Sequence, residues 1–407
     1  MRILYVSQYF PPEMGAPAAR VYELAREWVR MGHSVQVLTG FPNHPTGVIP
    51  LGYRGELWRK EQVDGIEVCR VPIYAAPNRD LVRRSANYLS YALSASVVGP
   101  LLARRPDVLI ATSPQFLTGA AGLWLSRLLR CPFVFEVRDL WPASIVAVGA
   151  LPEGSLPIRV LELLERALYR SADRIVVVTD SFVDEIAAKG VSREKLRVVK
   201  NGVDLELFWP GPKGNAIRAE LGLSGKFIAT YIGTHGMAHG LGTILEAAEK
   251  LRDDPRFAFL LVGEGADKRA LRARAEALGL SNLTFVDQQP RERIPDFIAA
   301  SDVCLVLLRA LPLFKTVLPS KIFELLGCAR PVLIGVEGEA RALVEASGGG
   351  LSFRPEDAAG LVALLRTLAD EPGQLEEMGR RGRSYVEANF SRTALAERYL
   401  SVLSELI

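Results

Sequence analysis

Cysteine is scarce in this 407-residue chain: there are four, at positions 69, 131, 304 and 328, with no C-x-x-C spacing. Apolar neighbours surround each of them, which fits reduced, buried thiols rather than a disulfide framework or a metal site. No apolar run reaches about 18 residues, so no segment reads as a membrane-spanning helix. Residues 1–7 read as a strand entering a Pro-rich loop, without the cleavage pattern of a signal peptide, so a cytoplasmic location is expected. No charge of one sign dominates, with 49 Lys and Arg against 46 Asp and Glu. Residues 1–200 hold 25 basic and 19 acidic residues, whereas residues 201–407 hold 24 and 27. A nucleic-acid protein would concentrate its charge in one patch, and none is evident. The basic first half is compatible with an anionic membrane surface or a lipid phosphate. A G-x-G-x-x-G fingerprint is also missing, which leaves a nicotinamide cofactor poorly supported.

What is there is an alternation. Strand patterns fall at 2–7, 34–38, 66–71, 108–111, 133–137, 174–179 and 196–199, and helical patterns separate most of them. The segment 201–214, from Asn201-Gly-Val-Asp204 to Pro210-Gly-Pro-Lys-Gly214, concentrates turn formers and reads as a linker. The alternation then restarts, with strands at 227–232, 257–262, 283–286, 303–307 and 332–334. This pattern predicts an α/β chain of two Rossmann-like domains with parallel sheets, 1–200 and 215–388. Residues 389–407 are expected to form a helix returning to the first domain. Ligands belong in the crevice beyond the strand C-termini.

Polar and glycine residues collect at those strand ends. Gly15 follows the first strand. Glu136-Val-Arg-Asp139 leaves an apolar strand with three charges; Arg138 and Asp139 could contact a ligand, or pair with each other at the surface. Gly233-Thr-His-Gly-Met-Ala-His-Gly240 is a glycine-rich strand-to-helix loop of the kind that cradles phosphates. It holds His235 and His239, which lack a third ligand for zinc. Gly263-Glu264-Gly265 ends the next strand, where a base or ribose could approach the backbone. A short helix opened by Pro319 presents Lys321 and Glu324 three residues apart. They form either a surface ion pair or an anion site with a carboxylate one turn deeper.

Taken in order, these stretches resemble the retaining nucleotide-sugar glycosyltransferases of family 4, with the two-domain GT-B fold. Leu318-Pro-Ser-Lys-Ile-Phe-Glu324 and Tyr9-Phe-Pro-Pro-Glu-Met-Gly-Ala-Pro-Ala-Ala-Arg20 carry the resemblance, together with Thr39-Gly-Phe-Pro-Asn-His-Pro-Thr-Gly47. The latter two are similar to the WbuB-like branch, associated with N-acetyl-L-fucosamine-type sugars of bacterial O-antigen and capsule synthesis. The resemblance implies a UDP-sugar donor, no separate cofactor, no metal and no nucleic acid. The implied acceptor is a glycan or an undecaprenyl-diphosphate-linked sugar. It implies that Gly15 approaches the donor diphosphate and that Lys321, with Ser320, holds the phosphates. Glu324 would bind the ribose. Gly233, His235, His239, Glu264, Thr316, Val317 and Leu318 would line the donor, and Asp139 would lie beside the reacting sugar. Thr316 stands where the family has a second glutamate, and the two histidines stand where many relatives have Arg and Lys. More of the phosphate charge then falls on Lys321 or on protonated histidine. A sugar-nucleotide 2-epimerase and a non-catalytic nucleotide-sugar binder share the architecture. The run 84–103, with Leu89, Leu93, Val97, Val98 and Leu101 between paired arginines, reads either as a headgroup-docking helix or as a core helix with solvated ends.

Overall fold

The computed structural model describes residues 1–44, 46–76 and 81–407; Pro45 of the 39–47 run lies outside them. The chain forms two compact units, one of Met1–Asn201 with Arg392–Ile407 and the other of Gly202–Ser391.

The first unit is built on β1 (Arg2–Val6), β2 (Ser34–Gly40), β3 (Arg59–Val63), β4 (Ile66–Val71), β5 (Val108–Thr112), β6 (Phe133–Val137), β7 (Arg174–Val177) and β8 (Leu196–Val198). Among the described residues these lie in the order β3-β4-β2-β1-β5-β6-β7-β8. Every pairing is parallel except β3 with β4. The inner strands are mainly apolar because both faces are covered, with Gln36, Arg70 and Glu136 as buried polar exceptions. β3 was not legible in the sequence: Arg-Lys-Glu-Gln-Val is a charged edge, the composition that keeps a free edge from pairing with another chain. Helix Ala16–Arg30 starts behind Gly15 with proline in its first turn. Its Trp28 is sandwiched by Tyr5 and Tyr399 and donates Nε1–H to the Ala396 carbonyl. Tyr399 belongs to helix Arg392–Ser404, so the last helix closes the first unit's core, as expected for it.

The second unit holds β9 (Phe227–Ile232), β10 (Phe257–Val262), β11 (Leu283–Val286), β12 (Val303–Leu307), β13 (Val332–Gly335) and β14 (Gly350–Ser352). All pairings are parallel, in the order β11-β10-β9-β12-β13-β14. The three-residue β14 is too short to leave a periodic signal. The chain winds outward from β9 to β11, then reverses to β12 beside β9. The loops after β9 and β12 therefore splay apart at the switch point, where doubly wound sheets bind ligands. In the first unit the same reversal lies between β1 and β5.

Candidate functional site

At the second unit's switch point, the loop after β9 is Gly233–Gly240, and the connection after β12 leads to helix Lys321–Gly327. The helix begins two residues later than the sequence suggested. Ser320 occupies the N-cap position without a side-chain hydrogen bond, and the carbonyl of Pro319 before it accepts from Ile322 N–H. The Lys321 ammonium neither reaches solvent nor pairs with Glu324. Its Nζ is buried with no hydrogen-bond partner, 3.9 Å above the Tyr231 ring centroid. The face of an aromatic ring attracts a cation but supplies no hydrogen-bond acceptor on the scale of a carboxylate. Burial accordingly pulls the amine down to about 7, with the Glu324 charge opposing. A Cβ at Gly233 would stand 2.5 Å from that nitrogen, so the glycine makes room for the ammonium. Glu324 instead takes Arg291 from beyond β11, at 3.1 Å. Of the two readings of this spacing, the i,i+3 ion pair does not form: Glu324 pairs with a residue 33 positions away instead.

The histidines do not carry positive charge here. His235 is fully buried, and both its ring nitrogens lack partners. Burial, then the Lys268 and Lys321 charges, lower it to about 4. His239 is half-buried with Nδ1 near the Gly236 carbonyl; burial, then Lys321, lowers it to about 3. Burial thus favours the neutral form of both at pH 7, which points to Lys321 among the two alternatives, Lys321 or protonated histidine, for the phosphate charge.

Gly263 and Gly265 have a structural reason that the sequence did not show. A Cβ at Gly263 would lie 1.9 Å from the Gly233 carbonyl oxygen, and one at Gly265 2.2 Å from that of His235. The glycines let the loops after β9 and β10 interlock. His235 N–H donates to the Glu264 carbonyl at 2.8 Å, and Asp267 N–H donates back to His235 at 2.9 Å. Lys268 braces this floor: its buried ammonium donates to the Gly263 carbonyl at 2.8 Å and to the Glu264 and Asp287 carboxylates. Sequence reading missed Lys268, Tyr231 and Arg291. The i,i+4 spacing of Glu264 and Lys268 was the available signal for the first; the other two act through tertiary contact alone.

The remaining donor-side candidates lie on the connection after β12. The Thr316 hydroxyl turns back to donate to the Leu313 carbonyl at 2.7 Å, Val317 N–H donates to Phe314, and Leu318 is buried. Thr316 thus closes its own turn.

In the first unit, Gly15 holds φ +128°, a conformation open to glycine, and starts helix Ala16–Arg30. Arg138 is brought to it, donating to the Ala16 and Pro17 carbonyls at 2.9 and 3.2 Å. Burial lowers its guanidinium to about 10 against the pull of Glu136. Glu136 faces the core, accepting from Tyr5, Thr112 and Arg20, with the Arg20 pair at 2.9 Å. Asp139 is not paired with Arg138. Its Oδ2 accepts from Trp141 Nε1 at 3.0 Å and Ser144 Oγ at 3.2 Å, while burial raises its carboxyl. No group of three or more His, Cys, Asp or Glu suited to a metal occurs among the described residues.

Comparison with known proteins follows this division of the chain. Residues 15–202 match a glycosyl transferase 4-like domain, and residues 214–385 match the glycosyl transferases group 1. WcaI of Escherichia coli (strain K12), named as a glycosyl transferase of colanic acid biosynthesis, is 26% identical over 378 residues, 90% of this chain and 91% of the relative. D-inositol 3-phosphate glycosyltransferase 1 of Catenulispora acidiphila is 29% identical over 405 residues, 95% of this chain and 90% of its own length. Among solved structures, Anabaena HepE in complex with UDP and glucose superposes with a TM-score of 0.75 at 18% identity, covering 99% of both chains.

Proposed function

We propose, because this chain is a GT-B-fold glycosyltransferase related to the family-4 and group-1 transferases, that its second unit binds a UDP-linked sugar. The sugar, an N-acetylated hexose or 6-deoxyhexose, passes with retained configuration to a glycan of bacterial surface polysaccharide synthesis. The acceptor is carried on a lipid diphosphate, which puts the reaction at the inner face of the membrane. The naming of WcaI and the UDP in the HepE complex support this choice of pathway and nucleotide. The run 9–20 supports the WbuB-like branch.

One observation carries the reading: the buried Lys321 amine without a partner. A buried cation lacking an acceptor is costly, and a diphosphate laid against it removes that cost. As the C1–O bond to the diphosphate breaks, negative charge grows on the leaving oxygen. The acceptor hydroxyl forms the new C1–O bond and its proton passes to the departing phosphate. Lys321 stabilises that growing charge, Glu324 takes the ribose hydroxyls, and His235, His239 and the Gly233 backbone line the donor. Glu264, with Thr316, Val317, Leu318 and Ser320, completes this lining. Gly15 approaches the donor diphosphate, while on the acceptor side Arg138 and Asp139 shape the first unit's loops and Asp139 acts beside the reacting sugar.

Lys321→Ala is expected to lower kcat by about 10²-fold or more, the scale for one fixed donor aimed at transition-state charge. The measurement is UDP release with a sugar acceptor, on protein whose melting temperature shows it folded. A change below about threefold removes Lys321 from the mechanism.

A further inference from the structure

Helix Leu81–Leu102 has two faces of opposite character. Asn87, Tyr91 and Ala95, spaced four apart, are buried against the first unit's sheet. Leu89, Leu93, Val97 and Leu101 follow the same spacing two residues on, which turns them about 200° around the helix and outward. Trp124 of the neighbouring helix Leu117–Leu129 lies across this face, its Nε1–H donating to the Ser96 carbonyl at 3.3 Å, and Leu128 follows one turn later. These six side chains are 50–82% exposed. The core-helix reading of this run therefore fails for its outer stripe: large apolar side chains gathered on one surface call for a partner.

Charge identifies the partner. Neither helix contains an Asp or Glu, whereas Arg83, Arg84, Arg104, Arg105, Arg127 and Arg130 lie on them or just past their ends. Arg105, Arg127 and Arg130 are exposed. A second copy of this chain meeting the face about a two-fold axis would set arginine against arginine. We propose that the outward face of helices Leu81–Leu102 and Leu117–Leu129 docks on an anionic lipid bilayer. Leu93, Val97 and Trp124 enter the headgroup–acyl boundary and the arginines meet lipid phosphates. No described helix is long and apolar enough to cross the membrane, so the contact is a surface one. The inference rests on the lipid-linked acceptor proposed above and names the surface that brings the enzyme to it.

Flotation tests it with the full chain and vesicles of phosphatidylcholine, with or without phosphatidylglycerol. Wild-type protein is expected to float with the phosphatidylglycerol vesicles and to be released by high salt. Leu93→Glu with Val97→Glu should stay at the bottom, and Arg105→Ala with Arg127→Ala should partition about thirtyfold more weakly. All four positions are exposed, and circular-dichroism melting verifies the fold. UDP release with a soluble sugar acceptor, measured on the same proteins, should not change. Wild type that fails to float at low salt overturns the proposal, as does a Leu93→Glu/Val97→Glu variant that floats like wild type. So does a variant that changes only the oligomeric state in sedimentation. Protein that floats yet transfers no sugar overturns the proposed function and leaves the docking face standing.

Discussion

The Lys321 amine makes donor affinity a function of pH. Held at about 7 by burial, it is mostly charged at pH 6 and mostly neutral at pH 8.5. A diphosphate against it restores an ordinary lysine pKa, above about 10, so binding takes up a proton wherever the free protein lacks one. The sign follows: the anion binds the protonated form, and affinity weakens as pH rises through the amine's own titration. With a pKa of about 7, the protonated fraction falls about thirtyfold between pH 6 and 8.5, and Kd should rise by that factor. His235 and His239, lowered to about 4 and 3, add no slope in this window. A UDP-sugar is the correct probe, because its phosphates and its uracil do not titrate there. Isothermal calorimetry at constant ionic strength reads Kd directly, and buffers of different ionisation enthalpy count the proton taken up. Lys321→Met should bind more weakly at pH 6 and show a flat profile. A wild-type Kd that moves less than about threefold, or a Lys321→Met profile as steep as wild type, refutes the reasoning.

Two further outcomes test the packing beneath the sites. Gly265→Ala drives a Cβ into the His235 carbonyl and should destabilise the protein by about 1–3 kcal/mol or more, read as a lower melting temperature with weaker UDP-sugar binding. Arg20→Met leaves the Glu136 carboxylate buried without its guanidinium and should cost about 3–5 kcal/mol. Urea denaturation measures it, and a loss under about 1 kcal/mol would show that Tyr5 and Thr112 suffice to hold the charge.

Strands were legible where burial on both faces leaves a mainly apolar run, as in Phe227–Ile232, Phe257–Val262 and Val303–Leu307. The edge strand Leu283–Val286 was legible too, because it is short of charge. Arg59–Val63 was not, because its charges make that edge look unlike a strand. At the site, the sequence put Gly233 and His235 in the loop after a strand and Lys321 on a short helix, since strand ends, glycines and Pro319 mark those elements. It could not show which groups meet. Spacing left open whether Lys321 pairs with Glu324, and the partners that decide it, Tyr231 and Arg291, come from distant strands and loops. In sequence Asp139 reads as a ligand contact or a partner of Arg138, but its side chain folds back on Trp141 and Ser144 two and five residues later.

The interlocked loops at Gly233–Gly240 and Gly263–Gly265 have a bearing on redesign. Since the backbone of the first loop fills the volume that a side chain at Gly263 or Gly265 would need, those two glycines cannot be varied while the first loop keeps its course. Libraries that substitute either one alone will mostly return destabilised protein. Shifting nucleotide or sugar preference in this chain requires transplanting both segments at once, with Lys268 included as the clasp that joins them.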